Sequence, residues 1–145
     1  MSAELLVANL LRVAREDLEG AKLLADQSNR NAVYLCEQAA EKIIRAILTS
    51  EGLHGGIRHQ LNEMVDAIPD ANPLKAPLRE IEFLTAYATS YRYPTSSGRV
   101  LKAPSAVQLG VAFAKVAAVL AQAATGLGVD LDTRDAPATR CRPFR

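Results

Sequence analysis

The chain has 145 residues, of which 49% are hydrophobic and 23% are charged, values typical of a globular protein of one domain. Its 17 basic and 16 acidic side chains give a net charge of +1. This balance excludes the broad positive field of a duplex-binding protein but leaves room for a local basic site. The only cysteines are Cys36 and Cys141, too few for a disulfide framework and indicative of a reducing cytoplasm.

Apolar residues recur at helical spacing through the first third of the chain. The stretch from Ala3 to Gln27 has its leucines and alanines three and four positions apart, which predicts an amphipathic helix. A second helix is predicted from Asn31, an asparagine suited to capping, to Glu51, where Gly52 ends it. We expect these two helices to form an antiparallel hairpin.

Charged residues flank the apolar stripe of the second helix. Glu37, Glu41, Lys42 and Arg45 are interpreted as a solvated face. Within it, Glu41 and Arg45 are four positions apart and can pair, which is worth roughly 0.3–0.5 kcal/mol. Cys36 falls on the apolar stripe, so it is not expected to act as a nucleophile.

Glycines and prolines divide the middle of the chain. Residues 52–59, GLHGGIRH, are a loop and not a phosphate-binding cradle, because nothing before them has the pattern of a strand. A short helix is predicted near Gln60 to Ala67. A fourth, longer helix begins around Asn72-Pro73 or Pro77 and ends at Tyr93, the residue before a proline.

A fifth helix starts at Ser105 and Gln108, which have capping-box spacing, and runs to Gly126 or Gly128. The stretch around it is long enough to span a bilayer, but a central Lys115 would cost roughly 2.5–3.5 kcal/mol there. A buried helix of a bundle is the preferred interpretation, and no membrane partner is expected. The predicted fold is all-α: an antiparallel up-and-down bundle of four long helices plus one short helix over residues 1–128. Residues 129–145 show no periodicity and are predicted to be a flexible C-terminal tail.

The segment TAYATSYRYP, residues 85–94, contains three of the four tyrosines. Arg92 lies between Tyr91 and Tyr93 at a predicted helix end, where a guanidinium can hold a phosphate and the rings offer stacking faces. The alternative is structural: Tyr87 and Tyr91, four apart, pack into the bundle while Arg92 caps helix carbonyls.

The two histidines are His54 in the glycine loop and His59 before the short helix. A lone histidine at a helix start is more often a local hydrogen-bond partner than a catalyst. Without clustered carboxylates or a usable cysteine the pair makes a poor metal site, so no metal and no cofactor are expected.

Three segments together resemble the HEPN domain family of short prokaryotic helical proteins. They are AVYLCEQAAEKIIRAILTSEG (32–52), RHQLNEMVDAI (58–68) and ATSYRYP (88–94), and the resemblance covers roughly residues 5–128. It implies an antiparallel helical bundle, commonly a homodimer, often encoded beside a minimal nucleotidyltransferase as a toxin–antitoxin pair. The toxic members are metal-independent ribonucleases whose motif is an arginine, four to six residues, and a histidine, often followed by one residue and a tyrosine.

This chain departs from that motif. No arginine precedes His54 or His59 at the required distance, and aligning Tyr93 with the motif's tyrosine puts Tyr91 at the histidine position and Ala86 at the arginine position. We therefore expect no catalytic residues of the family type. The chain resembles instead the RYP-bearing branch, which implies that Arg92 and Tyr93 contact a phosphate or base with Tyr91 nearby.

The resulting hypothesis is a cytoplasmic, non-catalytic HEPN homodimer that binds nucleotide or RNA, pairs with a nucleotidyltransferase, or does both. By the resemblance, His59 occupies a position where relatives often carry histidine, and it joins Arg92, Tyr93 and Tyr91 as a candidate nucleotide- or phosphate-binding residue. The alternative is a ribonuclease toxin with a rearranged site that uses Arg92 and His59. A third hypothesis, also from the resemblance, is modification of Tyr91 or Tyr93 by the partner nucleotidyltransferase.

Overall fold

The computed structural model describes residues 3–54, 56 and 60–141. These residues contain no strand, which confirms the all-α class, while the up-and-down order of the bundle stays a prediction. The helices are α1 (Ala3–Asp26), α2 (Asn31–Ser50), α3 (Leu61–Asp66), α4 (Lys75–Arg79), α5 (Leu84–Arg92) and α6 (Ala106–Leu127).

Helices α1 and α2 pack against each other along their lengths and end within one residue of the predicted positions. The helices approach closely at Gly20, where a Cβ would lie 3.2 Å from Leu35 Cδ1, so that a larger residue would require the leucine side chain to shift slightly. An ion pair between Lys42 and Asp17 joins the two helices near their middle. Large aliphatic side chains of α2 are fully buried and form the centre of the core: Ile43, Ile44, Ile47 and Leu48.

The prediction of one long fourth helix is wrong, because residues 75–92 form two short helices, α4 and α5, separated by a turn. The buried residues Leu78, Ile81 and Leu84 are spaced by three, and the backbone follows this period with hydrogen bonds from Ile81 N–H to Leu78 C=O and from Leu84 N–H to Ile81 C=O. Such bonds wind the chain at three residues per turn. The turn re-aims α5 so that it packs against α2.

Helix α6 has the predicted ends. Ser105 and Gln108 form a capping box, and Gly128 ends the helix in the left-handed conformation with φ of 65°. By length and composition alone α6 could cross a membrane, but Leu109, Val116 and other residues of one face are buried against the core. Its opposite face carries Val107, which is 77% exposed.

Residues 129–141 have no helix and lie along α1. Arg12 is 9% exposed and donates hydrogen bonds of 2.7 Å to the carbonyl oxygens of Asp130 and Ala136. Two further contacts join this segment to α1, one between Arg15 and Asp132 and one between Ala138 and Glu4. The flexibility predicted for residues 129–145 stays a prediction, which can be tested by breaking these contacts.

Candidate functional site

Helices α2 and α5 enclose a polar groove made of two adjoining cavities. The first, called here the arginine cavity, has a volume of about 310 Å³. The second, the glutamate cavity, has a volume of about 520 Å³. Both volumes are in the range of small-molecule sites. The arginine cavity is lined by Arg30, Asn31, Tyr34, Ala88, Tyr91 and Arg92. The glutamate cavity is lined by Tyr34, Glu37, Gln38, Glu41, Gln60, Thr85, Ala88, Thr89 and Arg92.

Helical spacing explains why these side chains meet. On α2, Asn31, Tyr34 and Gln38 are three and four residues apart and therefore share one face. On α5, Thr85 and Arg92 are seven residues apart, two helical turns, and share the face turned towards α2. Ala88 lies between them, is buried and lines both cavities, so a small side chain separates the two polar ends of the groove.

Arg92 is the last residue of α5, and its guanidinium carbon lies 4.8 Å from the centre of the Tyr34 ring. Its guanidinium makes no hydrogen bond or ion pair with any residue that the structure describes, so it does not cap helix carbonyls as the structural alternative proposed. The cation–π contact fixes the arginine at the mouth of the groove without neutralising its charge. It therefore stays available to an anion.

Arg30 places a second guanidinium at the arginine cavity. It is the N-cap residue of α2, is exposed, and makes no side-chain capping bond. Asn31 is not the capping residue that the sequence predicts; the side chain of Asn29 accepts from the Asn31 N–H instead, at 2.9 Å. The first turn of α2 is the positive end of the helix dipole. Two guanidinium groups and a helix N-terminus thus border one cavity, and this combination favours an anionic ligand.

The predicted tyrosines divide between packing and exposure. Tyr91 lines the arginine cavity and stacks edge-on against Tyr87, with ring centres 5.3 Å apart. Burial raises the pKa of Tyr87, with smaller contributions from Tyr91 and Cys36. Both Tyr87 and Tyr91 pack against the core, so the predicted packing of these two rings is confirmed. Tyr93 is 68% exposed and does not line either cavity, and His59 lies outside the described residues.

The interpretation of Glu37 and Glu41 as solvated is wrong, since their exposed fractions are 5% and 9%. Helix α5 covers this part of α2, which the pattern of α2 alone does not reveal. Gln38 Nε2 donates to Glu37 Oε2 at 3.0 Å and to Glu41 Oε2 at 3.3 Å. The predicted pairing of Glu41 with Arg45 is confirmed, at 2.8 Å.

Burial is the main reason why the pKa of Glu37 is raised above its usual value of 4.5. The nearby carboxylate of Glu41 raises this pKa further, while the Gln38 hydrogen bond and the charges of Arg92 and Lys42 oppose the shift. Burial disfavours the charged carboxylate, and the cations and the amide donor favour it. At this carboxyl group the effect of burial therefore outweighs that of the nearby cations and the amide donor.

The two cysteines do not line this groove. Burial, with a smaller contribution from Glu37, raises the pKa of Cys36 to about 12, and burial raises that of Cys141 to about 11, so both are thiols and not thiolates near neutral pH. Among residues 3–54, 56 and 60–141, no three His, Cys, Asp or Glu side chains are close enough together to hold a metal ion.

Residues that the sequence did not single out complete the groove. Arg30, Tyr34 and Glu37 are separated by four and three residues, so one helical face carries all three. The same spacing continues to Glu41, so the sequence alone contained a face of polar and aromatic residues on α2. Tyr34 on this face was as good a candidate binding residue as the tyrosines of α5.

Comparison with known families identifies the fold to which this groove belongs. The HEPN domain model matches residues 7–120, a span that contains every residue lining both cavities. The chain belongs to the HEPN family. Comparisons with curated proteins and with solved structures gave no match. In this HEPN domain the groove between α2 and α5 is therefore the candidate site.

Proposed function

We propose that this HEPN domain is a binding module without catalysis of its own, which holds the phosphate of a nucleotide or of RNA in the arginine cavity. The observation that carries the proposal is the pair of guanidinium groups, Arg30 and Arg92, without ion-pair partners among the described residues at one cavity. Arginine offers a planar fork of donors that matches phosphate oxygens. Tyr34 and Tyr91 line the same cavity and supply aromatic surface for a base or ribose.

The non-catalytic part of the proposal rests on the absence of the family's arginine–histidine motif from the sequence. Tyr93, which is exposed beside the cavity-lining Arg92, is proposed to contact the outer part of a longer ligand such as an RNA end. Modification of Tyr91 or Tyr93 by a nucleotidyltransferase is a separate proposal, which follows from the family resemblance. Co-expression with that enzyme and ATP should then shift the intact mass, whereas an unshifted mass would contradict it.

The direct test is a titration of the purified chain with AMP and with a short 5′-phosphorylated RNA, following binding and RNA integrity together. Arg92→Ala should weaken binding of both at least tenfold, because a charge-assisted contact to phosphate contributes roughly 1.5–3 kcal/mol. Arg99→Ala is the matched control, since Arg99 is an exposed arginine of the connector after α5 that lines neither cavity.

Three results would decide against this proposal. Equal loss in the Arg92 and Arg99 variants would mean that binding is non-specific. Absence of any binding would indicate that the domain binds a protein partner and not a nucleotide or RNA. Cleaved RNA would support the alternative, a ribonuclease with a rearranged site, and His59→Ala would then be the next variant.

A homodimer and a nucleotidyltransferase are the proposed protein partners, as the family resemblance implies. The exposed face of α6 suits a helix–helix contact, because Val107, Val111, Ala114 and Ala118 are separated by four, three and four residues and are all exposed. This is the spacing of a coiled-coil seam. Light scattering should give twice the chain mass, and a monomeric mass at working concentration would contradict the dimer.

A further inference from the structure

Glu37 contributes a carboxylate to the lining of the glutamate cavity. Glu37 is 5% exposed, and its Oε2 accepts the Gln38 amide at 3.0 Å. Its other oxygen, Oε1, has no hydrogen-bond partner among the residues that the structure describes. An ionised carboxylate has about four acceptor sites, and the Gln38 amide occupies one of them. The cavity therefore presents an acceptor that a ligand carrying N–H groups would satisfy.

Other polar groups of this cavity are already used to hold the helices together. Thr85 Oγ1 accepts from the Leu61 N–H at 2.9 Å, which ties α3 to α5. Thr89 Oγ1 donates to the Thr85 carbonyl at 2.8 Å. The Gln60 side chain, by contrast, is exposed, lines the same cavity and has no hydrogen bond to the described residues. Glu37 and Gln60 are thus positioned to contact a ligand.

The glutamate cavity and the arginine cavity share three lining residues, Tyr34, Ala88 and Arg92. Along α2, the six residues from Asn31 to Glu37 correspond to a rise of about 9 Å. This distance is comparable with that between the phosphate and the far edge of the base in an extended mononucleotide. A single nucleotide can therefore place its phosphate in the first cavity and its base in the second.

We propose that Glu37 reads the base of the bound nucleotide and that the groove prefers guanine. Guanine has two adjacent donors, N1–H and the 2-amino group, which match the two oxygens of a carboxylate. Its O6 acceptor can receive the amide of Gln60. Adenine has an acceptor at N1, which a carboxylate repels, and cytosine has a single amino donor beside an acceptor. A site built to pair with donors rejects analogues that lack them.

This inference rests on the proposed function, since the phosphate must first be held by Arg30 and Arg92. It adds selectivity to that function, and the two can be separated by experiment. The phosphate contacts treat all nucleotides alike, whereas the Glu37 contact depends only on the base. Ribose 5-phosphate, which carries no base, isolates the first contribution.

The test compares GMP, IMP, AMP and ribose 5-phosphate by calorimetric titration of the full chain. We expect GMP to bind at least tenfold more tightly than AMP, with IMP between them because it keeps N1–H and lacks the 2-amino group. Glu37→Gln should remove the preference for GMP over AMP, and a circular dichroism spectrum matching that of the wild-type chain would show that the variant is folded. Glu19→Gln, an exposed glutamate of α1, is the matched control and should leave the preference intact.

Equal binding of GMP and AMP by the wild-type chain, with both lost in Arg92→Ala, would overturn the base reading and leave the phosphate site standing. A GMP preference that persists in Glu37→Gln would also overturn it. Absence of binding by every nucleotide and by ribose 5-phosphate would remove the proposed function, and this inference with it. The wild-type series alone is decisive if the variant does not fold.

Discussion

Replacing Arg12 by alanine should release the C-terminal segment from α1. The Arg12 guanidinium donates 2.7 Å hydrogen bonds to the carbonyl oxygens of Asp130 and Ala136 and a 2.8 Å bond to Asn9 Oδ1. Hydrogen bonds from a charged donor contribute about 1.5–3 kcal/mol each. The bonds are not additive, and Arg12 Nε is buried without a partner among the described residues, which reduces the gain. We expect the free energy of unfolding to fall by about 2–3 kcal/mol.

Urea unfolding of the wild-type chain and of Arg12→Ala gives this difference directly. Hydrogen exchange adds the location, because the Ala138 N–H donates to the Glu4 carbonyl at 3.0 Å and should exchange faster once the segment is released. Arg134→Ala is the control: its guanidinium is 96% exposed and lies 3.7 Å from Asp135, so its loss should have no measurable effect. An equal, small effect of both substitutions, or unchanged exchange at Ala138, would refute the reasoning.

The other predictions concern a helix end and a buried acid. Gly128→Ala should lower the melting temperature, because Gly128 has φ of +65° and the new Cβ would lie 2.0 Å from Thr139 Oγ1. The control is Gly110→Ala, where a Cβ would have no atom within 4 Å; it should stabilise α6 by about 0.5–1 kcal/mol. A change of the melting temperature in the same direction for both variants would contradict this geometry. The raised pKa of Glu37 means that the folded chain keeps a proton that the unfolded chain has released, so the free energy of unfolding should fall as pH rises from 4.5 through the raised value. Glu37→Gln cannot titrate and should remove this fall, and an unchanged pH profile in that variant would show that Glu37 does not cause it.

Periodicity predicted the long helices well because each has one continuous apolar face. Helices α1, α2 and α6 begin and end within one or two residues of the predicted positions. It failed between residues 75 and 92, where the buried positions are spaced first by three and then by four. The backbone winds at three residues per turn only over the few residues between α4 and α5. A search for a single helical period of 3.6 residues does not detect this change and joins α4 and α5 into one helix.

The candidate site was predicted on α5 and missed on α2. Arg92 stood out because tyrosines surround it in sequence, whereas Arg30 and Tyr34 come to it only through the packing of α5 on α2. Glu37 borders an apolar stripe, a position that solvent usually reaches, but it is buried in the folded chain, where α5 packs against α2. These relations join residues about 50 to 60 positions apart, and no local pattern encodes them.

The C-terminal segment shows the same limit. Its contacts with Arg12 join residues 118 and 124 positions apart, and the acceptors are backbone carbonyls, which every residue possesses. A sequence without apolar periodicity therefore gave no sign of where residues 129–141 lie. Arg12 itself falls on the polar face of α1, where a solvated arginine is the ordinary expectation.

The most direct test of the α2–α5 groove as a phosphate site is an NMR titration of the labelled chain with GMP, following every backbone amide. We expect saturable shifts concentrated at residues 30–38 of α2 and 85–92 of α5, and little change in α6. Shifts concentrated on α6 or along residues 129–141, or no shifts at millimolar GMP, would contradict the assignment of this groove.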